Sequence, residues 1–259
     1  IKYTFSGKST VKSCFFETVP RYLCDPQHPH GRFMDSAHRD SPGTLATIAY
    51  TKLRQDLIHG AFDLGSKLRI QALCERYGIG LNPIREALNR LSSEGFVVQT
   101  DQRGFQVAEL SIGDLEELTK ARCWLDGLAL RESIQHGNQE WEEGVVLAYH
   151  RLSRLPRYLD SQPAVRNPDW SKAHKAFHVS LLSACGTKWI EDFCDQMFDA
   201  AERYRNTARI AGPTSRSDLD EHRAIMEATI ARKADLAVEL LTQHFQLTSQ
   251  LVRNVLENK

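Results

Sequence analysis

Residues 73–96 read LCERYGIGLNPIREALNRLSSEGF. Leu73 to Tyr77 close a short helix, and Gly78-Ile79-Gly80 supply a turn rich in the residue that takes positive φ without a Cβ clash. A second helix is predicted to follow, with Asn82 as its cap, Pro83 in the first turn and Glu86 near enough to the N-terminus to favour the helix dipole. Ile84, Leu88 and Leu91 fall at i, i+4, i+7 and form its apolar stripe. Arg85, Asn89 and Arg90 lie on other faces, where guanidinium and amide groups can meet guanine and adenine edges in a major groove. The pattern is that of a helix-turn-helix; the plainer alternative is a helical hairpin followed by an ordinary β-hairpin.

Phe96-Val97-Val98-Gln99 and Phe105-Gln106-Val107-Ala108 have strand composition, and Asp101-Gln102-Arg103-Gly104 joins them as a turn. A helix-turn-helix followed by such a wing is a more specific signal than either part alone. Through PIREALNRLSSEGFV and QRGFQV the chain resembles the winged helix of the GntR family of bacterial transcription factors. The resemblance implies double-stranded operator DNA as a partner. It points to Arg85 and Asn89 for base or backbone contact, with Asn82 beside them, Arg103 and Gly104 at the wing, and Arg69 or Gln71 on phosphate. Many members carry Ser-Arg-Thr-Pro where this chain has Gly80-Leu81-Asn82-Pro83, so Leu81 replaces one frequent base-contacting arginine.

A chain of 259 residues exceeds one typical domain, and its composition divides it. Residues 1–40 carry Pro20, Pro26, Pro29 and Gly31 and no sustained period, and are expected to be a disordered extension. Met34 opens a normal-looking amino terminus for the family, so translation is expected to begin there; peptides from upstream residues would contradict this. Residues 41–110 form the winged domain, with Thr44 to Phe62 as its support helix and Gly65 to Leu68 turning the chain into the next helix. Residues 111–259 read as an all-helical bundle of six or seven helices with no persuasive strand. Formal net charge is zero, and residues 111–259 carry 19 Lys and Arg against 22 Asp and Glu. Attraction to DNA must therefore come from local placement. The six cysteines include no C-x-x-C pair and suit reduced thiols in the cytoplasm, where no secretory signal or membrane span diverts the chain.

Four histidines stand at inward positions of the predicted bundle. His174 and His178 are i, i+4 partners, His222 shares a face with Leu219, Met226 and Ile230, and His244 sits in the series Leu236, Leu240, Leu247, Leu251. One buried histidine is more often satisfied by the core than bound to a ligand, but an i, i+4 pair joined by two single histidines from other helices is how a bundle builds a metal centre. Zinc suits such ligands first, with nickel or manganese as other fits. His150, on the second bundle helix, falls outside this set.

Through HKAFHVSLLSACG, EHRAIMEATIARKADLA and QHF the second part resembles the FCD ligand-binding domain of the FadR subfamily. That resemblance implies a homodimer whose metal, held by His178, His222 and His244, anchors a small carboxylate effector. His174 stands where many members have aspartate, so four neutral imidazoles would leave the full charge of a dication to attract an anion. Arg122 is the expected second grip on the carboxylate, its plainer reading being an i, i+4 ion pair with Asp126. Arg203 and Arg205 offer further basic groups; flanking Tyr204, they point apart, so at most one of the two is expected to face the cavity and the other solvent. Similarity to a carbon-starvation-induced regulator of the family, through WSKAHKAFH and RYR, implies an effector of hydroxy-dicarboxylate type. The chain thus reads as a ligand-responsive DNA-binding regulator, a repressor more readily than an activator, and not an enzyme. Two alternatives stay open: a metal-dependent hydrolase, which lacks an evident general base on the histidine helices, and a dimer with a purely structural histidine cluster.

Overall fold

Thr44 accepts a hydrogen bond from Thr47 N at 3.2 Å and so starts the first helix, α1, Leu45–Ile58. The computed structural model describes residues 43–100, 104–159, 162–207 and 217–258. The expected 1–40 extension and the wing tip with Arg103 lie outside these residues. After α1, a two-residue strand β1, Lys67–Leu68, precedes α2, Ile70–Tyr77, and α3, Leu81–Ser93. Gly78 ends α2 at φ 66°, the left-handed position where a side chain would be strained. The expected cap at Asn82 is displaced: α3 begins at Leu81 with Gly80 as the capping residue and no side-chain bond. Pro83 is tolerated because N–H groups of the first turn have no acceptor within the helix.

Strands β2, Val97–Thr100, and β3, Gly104–Val107, pair antiparallel as the wing, and β1 adds to the other side of β3. Val97 faces Val107 and Leu68 faces Phe105. β1 is the strand that the sequence reading takes for a turn, because two residues are too short to show alternation. Leu53, Ile84, Ala87, Leu88 and Leu91 are fully buried against Phe96 and Phe105. Each large apolar side chain contributes about 1.5–3 kcal/mol by leaving water. This small core fixes the angle between α2 and α3.

Ser111 caps the long helix α4, Ile112–His136, by accepting from Asp114 N at 3.0 Å. Asn138 caps α5, Gln139–Ser153. A short antiparallel hairpin of β4, Tyr158–Leu159, and β5, Gln162–Arg166, follows where the sequence reading expects no strand. Pro163 lies in β5, and a two-stranded sheet tolerates proline because both its strands are edges. Four helices complete the bundle: α6, Pro168–Leu182; α7, Lys188–Thr207; α8, Asp218–Ile230; and α9, Ala234–Glu257.

α9 packs along α4 and against α8, while α6 packs against α5. The core gathers Leu130, Val145, Leu152, Phe177, Leu181, Ile225 and Leu241. The buried stripe of α9 is Ala237, Leu241, His244, Phe245 and Val252, rotated from the expected one, so that Leu236 and Leu247 are exposed at 42% and 45%. α9 carries apolar residues on two faces, and spacing alone does not choose between them. Pro42–Lys259 form one compact unit containing both cores. Among the described residues no helix is long and apolar enough to cross a membrane.

Candidate metal centre

α6 sets His174 above His178 one turn apart, α8 brings His222, and α9 brings His244; all four are buried. Nε2 of His174 lies 3.2 Å from Nε2 of His178 and of His222, and the His178 and His222 Nε2 atoms are 3.3 Å apart. One ligand atom from each of the four can be chosen within a span of 4.8 Å. Zinc–nitrogen bonds of about 2.0–2.1 Å place tetrahedral ligand nitrogens about 3.3 Å apart, which is the edge of this triangle. Mutual hydrogen bonding explains the triangle poorly. A neutral imidazole Nε2 is either donor or acceptor, so three of them cannot satisfy all three edges.

The surroundings hold the rings neutral and oriented. Burial first, then neighbouring histidines and Arg205, lower the pKa of His174 well below the ordinary imidazole value; His178 is lowered in the same way. His244 Nδ1 lies 2.8 Å from Glu221 Oε2, which leaves Nε2 for the centre, the carboxylate–histidine arrangement that orients metal ligands. Trp170 stacks on His174 at 4.6 Å and 14°. Nδ1 of His174 is buried with no hydrogen-bond partner among the described residues.

Arg122 is buried and lies 3.8 Å from the ring centre of Phe245, beside the histidines. Its bond to Asp126 is a single long contact of 3.4 Å, and both Arg122 Nε and Asp126 Oδ1 lack partners among the described residues. The ion pair and the inward orientation expected for Arg122 thus occur together. Burial pushes the Asp126 carboxyl up despite Arg122. Arg205 is buried too, bonding Glu202 at 2.8 and 2.5 Å, while Arg166 reaches the other Glu202 oxygen at 2.7 Å. Burial opposes the Glu202 charge, but the two guanidiniums prevail and bring its pKa to about 2. Burial brings Arg205 down to about 10 against the pull of Glu202.

Arg203 departs from the expected effector role and is not solvated. It donates to the Ala108 carbonyl and lies over Phe96, joining α7 to the winged part. Glu202, Arg166 and Glu221 escape the sequence reading; only hindsight makes Glu202, three residues before Arg205, a local signal. His150 is exposed on α5 and outside the histidine group. A cavity of about 220 Å³ between α6 and α7, lined by Val179, Leu182, Cys194 and Phe198, reaches His178.

The expected DNA-contacting residues stand apart from this centre. Asn82, Arg85 and Asn89 are exposed on α3, and Arg69 and Gln71 are exposed at the start of α2. Gly104 opens β3 at φ 82°. Arg90 is held back, 4.0 Å over the ring of Tyr50.

Residues 45–107 match the family described as "Bacterial regulatory proteins, gntR family", and residues 117–247 match the FCD domain. The uncharacterised HTH-type transcriptional regulator BphR of Paraburkholderia xenovorans is 34% identical over 210 residues, covering 81% of this chain and 86% of that protein. The HTH-type transcriptional repressor GlaR of Escherichia coli is 32% identical over 199 residues, covering 75% and 90%. Among solved structures, E. coli McbR/YncC superimposes with a TM-score of 0.69 at 16% identity, over 82% of this chain and 98% of that one. A putative GntR regulator from Rhodococcus gives a TM-score of 0.67 at 20% identity, over 82% and 99%. BphR and GlaR are transcriptional regulators, which speaks against the hydrolase alternative. A winged helix-turn-helix joined to an FCD helical domain, shared with relatives over most of both chains, places this protein in the GntR family of DNA-binding transcriptional regulators.

Proposed function

We propose that the chain is a metal-anchored carboxylate sensor of the FadR subfamily that represses transcription in the cytoplasm as a homodimer on operator DNA. The triangle of Nε2 atoms at 3.2–3.3 Å is the observation that carries the reading. His174, His178, His222 and His244 would hold a divalent ion, zinc first, and nickel or manganese would meet the same nitrogen donors. When bound, the ion supplies an electrophilic site for an anion, because four neutral imidazoles cancel none of its charge. Arg122 has an unpartnered Nε to offer a carboxylate, and Arg205 adds positive potential while fixed on Glu202. A small carboxylate, of the hydroxy-dicarboxylate type, is the proposed effector. Two winged parts in a dimer would meet half-sites roughly 34 Å apart, and effector binding would change their freedom to do so.

The test is elemental analysis of protein purified without a metal column, paired with thermal melting against mono- and dicarboxylates. About one metal per chain is expected, lost in His178→Ala, together with a melting shift from one acid that disappears in Arg122→Ala. Absence of metal, with no loss of stability on chelation, would instead favour the purely structural cluster.

A further inference from the structure

Helix α7 faces both the histidines and the winged part. On one side Phe198 lies 5.5 Å, centre to centre, from the rings of both His174 and His178. On the other, Asn206 donates to the Ile58 carbonyl at 3.0 Å and Arg203 to that of Ala108. Between them Asp199 is shared by two cations. Its Oδ1 accepts from Lys175, the residue after His174, at 2.8 Å, and its Oδ2 accepts from Nη1 of Arg54 on α1. Arg54 Nε donates to Glu94 Oε2 at 3.0 Å, and the Tyr50 hydroxyl donates to Glu94 Oε1 at 2.6 Å. Glu94 is the residue on which α3 ends.

Lys175, Asp199, Arg54 and Glu94 therefore form an unbroken line from the histidine helix to the end of the recognition helix. The Arg54 and Asp199 side chains are only 15% and 8% exposed, so solvent and salt screen their pair incompletely. Arg54 also lies 5.1 Å over Phe96, just beyond α3. A planar guanidinium can bond two carboxylates in fixed directions at once, which an ammonium on a flexible stem does poorly. Without Arg54, Asp199 and Glu94 would each lose a guanidinium contact at this partly desolvated seam.

We propose that Arg54 is a positioning residue for DNA recognition, and that its bond to Asp199 is the joint through which movement of α6 and α7 at the histidines reaches α3. The metal-dependent arm of this proposal rests on the function proposed above; the Arg54 arm does not.

Hydrogen exchange on the full chain tests both, using the unsubstituted protein, Arg54→Met, Arg54→Lys and Asp199→Asn, each with and without added Zn²⁺. Without metal, Arg54→Met should speed exchange at Arg90–Phe96 at least tenfold while the core of α4 and α9 keeps its rate, and Arg54→Lys should recover part of that protection. Asp199→Asn, whose side chain is on α7, should also speed exchange at Arg90–Phe96. Added Zn²⁺ should slow exchange at Arg90–Phe96 several-fold in the unsubstituted chain and not in Arg54→Met, although α6 and α8 are slowed in both. Equal rates at Arg90–Phe96 in the unsubstituted chain and Arg54→Met, or silence there in Asp199→Asn, would overturn the joint. Zn²⁺ slowing Arg90–Phe96 equally in Arg54→Met would overturn it as well. If Zn²⁺ slows no segment, the metal reading falls, and the metal-free rates still decide for or against Arg54.

Discussion

The recognition helix and the histidine bundle treat polar side chains in opposite ways. α3 buries Ile84, Ala87, Leu88 and Leu91 and leaves Arg85 and Asn89 in water. The bundle turns four histidines, Arg122, Arg205 and Glu202 inward and leaves Trp124 and Trp189 at 66% and 76% exposure. On the function proposed above, the contrast follows the size of what each region would meet. A duplex cannot be enclosed, so its contacts wait hydrated and cost little until it arrives. A small anion can be enclosed, so the groups that meet it must be desolvated beforehand and held by one another.

The contrast is broken most severely by removing one member of the enclosed set. Glu202→Ala leaves Arg205 and Arg166 buried without their shared carboxylate, and a loss of about 3–5 kcal/mol is expected in denaturant unfolding. An unchanged midpoint would mean that the guanidiniums reach water. Acid acts in the same direction. Glu202 is held at about 2 against an ordinary 4.5, so its stabilisation is complete above pH 4.5 and is lost as pH falls toward 2, roughly 3 kcal/mol in all. The buried neutral histidines begin to erode stability earlier, as pH falls below their ordinary value of 6.5. Apo protein melted at successive pH values should lose stability in that order, while a flat profile between pH 6.5 and 4.5 would contradict the depressed histidines.

Arg85→Ala sharpens the other side of the comparison. Affinity for an operator duplex selected from random sequence should drop by about 1–3 kcal/mol, with the melting temperature nearly unmoved because Arg85 is exposed. A large stability loss would show that the α3 surface is not free to wait. Glu221→Gln weakens the orienting contact on His244 without touching the histidines themselves, and metal affinity measured by chelator competition should fall roughly 10- to 100-fold. The smallest effect belongs to Lys188→Ala, an exposed i, i+4 pair with Asp192, for which the unfolding midpoint should not move measurably.

What was legible in the sequence follows the range of the interaction. The α3 stripe and the His174–His178 pair are periodic within one helix, so spacing alone places them. His222 and His244 were legible because apolar neighbours on their own helices imply an inward face. The supports of the site are different. Arg166 meets Glu202 across 36 residues, and Lys175 and Arg54 reach Asp199 across 24 and 145 residues. No local period encodes such pairings. Arg203 and Arg205 show the same limit: geometry within the helix says that they diverge, but only the packed structure says that Arg205 turns to Glu202 and Arg203 to the Ala108 carbonyl.

The stacking of Trp170 on His174 makes the protein its own optical probe. An excited indole passes an electron readily to an imidazolium and poorly to a neutral ring, so Trp170 emission should dim as His174 gains a proton. An ion on the far nitrogen would alter the same ring contact. Trp124 and Trp189, 66% and 76% exposed, contribute a steady, solvent-like, red-shifted background. A variant with both Trp124 and Trp189 replaced by Phe would therefore remove that background and leave the blue emission of buried Trp141 and Trp170, in which the state of the histidine centre can be followed in real time, without a label.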